Sequence, residues 1–109
     1  MGGRPPARSG KIRVVTLSTH VLDTERGRPA AGVHVELTRE DGELVAAGVT
    51  DTDGRIAELF EGGGGTYRVV FHPPSPFFTR VELEVALDDG HYHVPLLVSS
   101  YGCASYRGS

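Results

Sequence analysis

Short runs in which apolar and polar residues alternate, each ended by glycine or proline, constrain the fold of this chain more than any other feature. In residues 33–38 (VHVELT) the three apolar side chains share one face of an extended strand, because successive side chains on a strand point to opposite faces. Residues 67–71 and 81–87 repeat the alternation. A period of two predicts half-buried strands rather than helices.

Turn sequences separate these runs along the whole chain. Fifteen glycines and seven prolines are spread over the 109 residues, and three of the prolines, in residues 73–76, exclude a central strand there because proline has no amide hydrogen to donate. The spacing predicts an all-β fold, a sandwich or barrel of about eight strands. The predicted strands are one that starts at Ile12 and then residues 33–38, 43–49, 55–60, 66–72, 81–87, 91–98 and 101–106.

Composition and charge exclude several classes of protein. Residues 1–11 (MGGRPPARSGK) contain almost nothing apolar, so we expect a disordered leader followed by one domain over residues 12–109. A net charge of −3 argues against a nucleic-acid partner. No apolar run approaches the roughly 20 residues of a membrane helix, so no membrane partner is expected. The leader lacks the apolar core of a secretory signal, so the cytoplasm is the expected location.

Histidine provides the first chemical signal. His91 and His93 flank Tyr92 and therefore share one face of a predicted strand. Such a pair can present two nitrogens to a metal ion, with His20 as a third ligand. It can equally act as general acid and base, or have no role. The spacing alone leaves these three interpretations open.

The segment 51–55 (DTDGR) is the second chemical signal. It contains part of a calcium-loop pattern, but the glutamate that should close such a loop is out of register, which excludes calcium. A turn in which Gly54 has a positive φ is the simpler explanation. Arg55 then matters only if it faces the same pocket as the histidines. Glycines 62–65 lack the lysine and hydroxyl residue of a phosphate-binding loop and are predicted to be a slack hairpin loop.

Three segments together resemble the 5-hydroxyisourate hydrolases, the transthyretin-related proteins of the uric acid pathway. Residues 17–24 (LSTHVLDT) resemble the first motif of that family, and residues 50–55 (TDTDGR) resemble its central motif. Residues 91–97 (HYHVPLL) and the terminal Tyr-Arg-Gly-Ser, residues 106–109, resemble its last motif. The resemblance spans residues 13–109. The terminal tetrapeptide is its most specific part, since the hormone-carrying transthyretins lack it.

The resemblance implies a fold, an assembly and a site. The fold is an eight-stranded, two-sheet transthyretin-like (prealbumin-like) sandwich. The assembly is a homotetramer with active sites at the dimer–dimer interface, acting on a small-molecule substrate without a cofactor or a metal. The implied catalytic residues are His20, Arg55, His93 and Ser109, and the implied substrate-binding residues are His20, Arg55, Tyr106 and Arg107.

The implied reaction is hydrolysis of 5-hydroxyisourate to 2-oxo-4-hydroxy-4-carboxy-5-ureidoimidazoline in urate degradation. A histidine would activate water and Arg55 would hold the substrate; which histidine is the base is left open. The chain departs from the family pattern in two places. The connection at residues 72–76 is shorter by roughly ten residues, about one helix, and Cys103 and Ala104 replace a tyrosine and a serine. These departures keep two alternatives open: a non-catalytic transthyretin-like carrier of a small ligand, and a related hydrolase retuned to another cyclic amide.

Overall fold

Two β-sheets form the regular structure of this computed structural model, which describes residues 13–108. The predicted leader (residues 1–11), Ile12 and Ser109 lie outside the described residues. The strands are β1 (Val15–Asp23), β2 (Arg28–Pro29), β3 (His34–Arg39), β4 (Leu44–Val49), β5 (Arg55–Gly62), β6 (Gly65–His72), β7 (Val81–Leu87), β8 (Gly90–Val98) and β9 (Cys103–Ser105).

The sheets pair in the manner of a sandwich. One has the order β2-β1-β8-β9, with β5 also paired to β1, and the other has the order β4-β3-β6-β7. β1 runs parallel to β8, whereas the other paired strands are antiparallel. The predicted all-β, two-sheet class is confirmed. Eight strands correspond to the eight predicted ones, and the two-residue β2 is an addition that the sequence did not signal.

The core lies between the sheets and sets the orientation of β1. Val15, Leu17 and Val21 are fully buried and Thr19 is 1% exposed, so the alternate residues of β1 must face away from the core. Tyr67 and Phe71 of β6 are the largest fully buried side chains opposite them. The outer face of β1 is therefore fixed by the burial of its inner face, because a shift by one residue would expose every one of these apolar side chains.

The glycine segment 62–65 is not the slack hairpin that the sequence predicted. β5 pairs with β1 in one sheet, and β6 pairs with β3 and β7 in the other, so the segment crosses between the sheets. The crossing is tight, since a Cβ atom on Gly64 would lie 2.7 Å from the carbonyl oxygen of Asp88. Glycine is needed there for a close approach of two backbones.

The short connection between β6 and β7 contains no helix over residues 73–80. Ser75 organises it: its hydroxyl donates to the carbonyl oxygen of Ser100 at 2.8 Å and accepts from the amides of Phe77 and Phe78. The connection is thereby hydrogen-bonded to the loop between β8 and β9.

Within residues 13–108, no helical segment has the length and apolarity that crossing a membrane requires.

Candidate active site

Three strands bring two imidazoles and one guanidinium to the same outer face of a sheet. His20 of β1 lies directly opposite Arg55 of β5, and Ser18 of β1 lies opposite His93 of β8. The imidazole centroids of His20 and His93 are 6.5 Å apart. The intervening residue Thr19 faces the core, so its neighbours on the strand face outward.

A cavity of about 320 Å³ opens on this face. Such a volume suits a small molecule rather than a macromolecule. His20 is not one of the residues that line the cavity, but the centroid of its ring is 6.5 Å from that of His93, which does line it. The residues that line the cavity are Ser18, Thr19, Arg55, Ala57, His91 and His93.

The turn before β5 fixes the backbone of Arg55, the first residue of that strand. The carboxylate of Asp51 accepts hydrogen bonds from the amides of Asp53 and Arg55, both at 2.9 Å. These bonds lower the pKa of Asp51, chiefly the one from the Arg55 amide, and the positive charges of Arg55 and His20 act in the same direction. Gly54 has a φ of +75°, as predicted, and its carbonyl accepts from the amide of Val21 at 2.7 Å.

The same turn orients His20. Its Nε2 atom lies 2.8 Å from the carbonyl oxygen of Asp53. A carbonyl can only accept, so Nε2 carries a hydrogen and donates it. Nδ1 is then the ring nitrogen of His20 that the Asp53 carbonyl does not use.

His93 is held from two sides. Its Nδ1 atom lies 2.8 Å from the hydroxyl oxygen of Ser18, and its carbonyl accepts from the amide of Gly108 at 2.6 Å. A Cβ atom on Gly108 would lie only 2.7 Å from the His93 ring, which is why glycine is required in the terminal motif. Desolvation is the largest cause that lowers the pKa of His93; the positive charge of Arg55 lowers it further, and so do His20 and His91 whenever those rings are protonated. His93 is therefore neutral near pH 7.

The other predicted site residues lie elsewhere. The guanidinium of Arg107 lies 4.4 Å from the centroid of the Tyr92 ring, and Tyr92 points to the opposite face of β8 from His93. Tyr106 and Arg107 line a separate groove of about 370 Å³ beside β7. Within one chain the structure thus brings together His20, Arg55 and His93, but not Tyr106 and Arg107. Ser109 lies outside the described residues.

Two groups at the site were missed by reasoning from the sequence. Ser18 binds the ring of His93, and its only signal was that it shares a strand face with His20. The Asp53 carbonyl that binds His20 is a backbone group and has no sequence signal at all. In residues 13–108, no three His, Cys, Asp or Glu side chains are grouped so that they can hold a metal ion.

Comparison with known proteins gives consistent results. Residues 17–108 match the HIUase/transthyretin family. The chain is 43% identical to 5-hydroxyisourate hydrolase 2 of Rhizobium meliloti, over 85% of this chain and 95% of that protein. It superimposes on the structure of Klebsiella pneumoniae 5-hydroxyisourate hydrolase with a TM-score of 0.79 and 38% identity, covering 87% and 99% of the two chains. Sea bream transthyretin in complex with thyroxine gives a TM-score of 0.75 and 28% identity, covering 84% of this chain and 93% of that one.

Replacement of Gly54 by alanine tests how strongly the turn positions the site. The added Cβ would lie 2.4 Å from the carbonyl oxygen of Val21. We expect Gly54→Ala to lower the free energy of unfolding by about 1–2 kcal/mol for the left-handed backbone and by at least about 1 kcal/mol more for the clash. We also expect it to shift the NMR signals of the His20 ring.

Gly42→Ala is the matched control. Gly42 also has a positive φ, +93°, but its Cβ would meet nothing within 4 Å. This variant should lose only the backbone contribution in urea unfolding and leave the His20 signals in place. Equal losses of stability for the two variants, with unmoved His20 signals in both, would show that the turn does not hold the site.

Proposed function

The chain belongs to the HIUase/transthyretin family, and from this membership and the site geometry we propose that it is a 5-hydroxyisourate hydrolase. The observation that carries the proposal is that Arg55 and His93 line one small cavity, while His20 lies opposite Arg55 on the neighbouring strand with its ring centroid 6.5 Å from that of His93. Two relatives, each covered over 95% of its length, are named 5-hydroxyisourate hydrolase. The groups at the cavity are those that a hydrolysis of a cyclic amide needs.

The substrate is a small oxidised purine with several carbonyl groups. Water adds to a ring carbonyl that adjoins a ring nitrogen, and the bond between that carbon and nitrogen then breaks. The carbon keeps the water oxygen as a carboxylic acid, which then loses its remaining proton to solvent and becomes a carboxylate, and the nitrogen gains a hydrogen. The product is 2-oxo-4-hydroxy-4-carboxy-5-ureidoimidazoline. The proposed reaction is a step of urate degradation.

His93 is the general base in this scheme. Its lowered pKa keeps the ring neutral near pH 7, so it can take a proton from water as the oxygen attacks the carbonyl carbon. Ser18 occupies Nδ1 of the ring, which leaves Nε2 to receive that proton. The sequence alone left the choice between the two histidines open, and the electrostatic environment favours His93.

His20 and Arg55 complete the reaction. In its protonated form His20 donates the Nδ1 hydrogen to the leaving ring nitrogen, while its Nε2–H stays bonded to the Asp53 carbonyl. Arg55 lines the cavity, and its guanidinium binds the carbonyl oxygen that becomes negative when water adds. His93 then releases one proton and His20 regains one from solvent, which restores the starting state.

The assembly and the tail belong to the same proposal. The cavity lies on an outer sheet face, and Arg55 is exposed in the single chain, so covering this face would exclude water and strengthen each polar contact with the substrate. A homotetramer with active sites at the dimer–dimer interface would provide that cover. Tyr106, Arg107 and Ser109 stay predicted site residues, to be supplied within such an assembly. A cytoplasmic location also stays a prediction.

The activity test is the decay of freshly prepared 5-hydroxyisourate, followed by absorbance with and without the protein. We expect the protein to accelerate the decay. His20→Ala and Arg55→Gln should lower kcat/KM by about 100-fold or more, because each removes a proton donor or a charge that acts on the transition state. Arg55→Lys should recover only part of the loss, since an ammonium lacks the planar fork of the guanidinium.

His34→Gln is the control for a histidine outside the site. His34 lies on β3 in the other sheet and is exposed, so this variant should keep full activity. A decay rate equal to that of buffer, for the unmodified protein, would refute the proposal. Tight binding of a planar ligand combined with that unaccelerated decay would point instead to a carrier like the transthyretins.

The pH dependence tests the role of His93. Because burial and nearby positive charges lower its pKa from 6.5, the neutral base persists below pH 6.5, and kcat/KM should begin to fall only at lower pH. NMR titration of the ring gives this pKa directly. Arg55→Gln should raise the pKa of His93, because it removes a positive neighbour, whereas Arg55→Lys should keep it lowered. A His93 ring whose pKa is not below 6.5 in the unmodified protein would contradict the lowering on which the choice of His93 as the base rests.

A further inference from the structure

A chain of hydrogen bonds runs from Thr16, near the start of β1, to His93 on β8. The hydroxyl oxygen of Thr16 lies 2.7 Å from Nδ1 of His91. Nε2 of His91 lies 3.1 Å from the hydroxyl oxygen of Ser18, which in turn lies 2.8 Å from Nδ1 of His93. The parallel register of β1 and β8 produces this ladder by placing Thr16 opposite His91 and Ser18 opposite His93.

The hydroxyl of Ser18 cannot serve both imidazoles as a donor. It has one hydrogen and contacts one nitrogen of each ring, so at least one of these nitrogens must donate to it. The arrangement therefore couples the tautomer of His93 to that of His91. Ser18 is 8% exposed, which leaves little room for water to replace either partner.

Electrostatics selects the direction of the chain. Because Ser18 contacts Nδ1 of His93, Nε2 is the nitrogen left on the side of the cavity, which Arg55 also lines, and the positive charge of Arg55 acts on the His93 ring. A nearby positive charge favours a bare nitrogen over an N–H group on that side of the ring. The hydrogen of neutral His93 then lies on Nδ1 and is donated to Ser18, and the Ser18 hydroxyl donates its own hydrogen to Nε2 of His91.

We propose that His91 is a positioning residue for His93 and acts through Ser18. By accepting the hydroxyl hydrogen of Ser18, His91 turns a lone pair of that oxygen toward Nδ1–H of His93. Nε2 of His93 is thereby kept bare and ready to take a proton from water. The catalytic consequence rests on the proposed hydrolase function, whereas the tautomer itself does not.

The experiment reads the His93 tautomer by nitrogen-15 NMR of the histidine rings at pH 7.5. In the unmodified protein His93 should carry its hydrogen on Nδ1. Ser18→Ala and His91→Phe should shift it toward the Nε2–H form, because each removes a link of the chain. His91→Gln should restore the Nδ1–H form, since an amide oxygen at that position accepts the Ser18 hydrogen. His72→Phe, on β6 in the other sheet, is the matched control and should change nothing at His93.

Kinetics of the same variants gives the second readout. His91→Phe should lower kcat for 5-hydroxyisourate by about tenfold or more, as expected when a catalytic imidazole has the wrong tautomer, with KM changed less than twofold. His91→Gln should recover most of the loss. An Nε2–H tautomer in the unmodified protein, or an unchanged tautomer in both Ser18→Ala and His91→Phe, would overturn the proposal. The predicted tautomer shift in a protein without hydrolase activity would uphold the positioning role and reject the proposed function instead.

Discussion

The parallel pairing of β1 with β8 is the interaction on which the site depends. It extends over all nine residues of β1, and the burial of Val15, Leu17 and Val21 fixes which face of β1 is turned outward. A shift of the register by one residue would turn His93 toward the core and separate it from Ser18. Burial of the inner face of β1 thus determines where the polar side chains of its outer face lie.

The third member of the site is positioned in a different way. Arg55 is the first residue of β5, and a turn closed by the Asp51 carboxylate brings it to the face of β1. The same turn binds His20 through a backbone carbonyl. The positive charges that gather here have a chemical consequence, because they help to lower the pKa of His93 and keep one imidazole neutral beside a guanidinium. A base and a cation can therefore work side by side near pH 7.

The strand faces and the turn at Gly54 could be predicted from the sequence, whereas the pairing of side chains across strands depends on long-range contacts. Alternation predicted that His91 and His93 share a face, and the Gly54 turn was predicted with its positive φ. The pairing of Ser18 with His93 joins residues 75 positions apart, and no local pattern encodes it. For the same reason the glycine segment 62–65 was wrongly predicted to be a hairpin, since its local pattern does not tell which sheet the next strand joins. The roles of Tyr106, Arg107 and Ser109 stay predictions.

We expect one small ligand to contact His20, Arg55 and His93 together. The most direct measurement is an NMR titration of the protein with urate, a stable planar purine, while the side-chain signals of the histidines and arginines are followed. The signals of His20, His93 and Arg55 should shift together with a single dissociation constant, and those of His34 and His72 in the other sheet should not move. Shifts confined to the Tyr106 and Arg107 groove, or different dissociation constants for the three site residues, would contradict it.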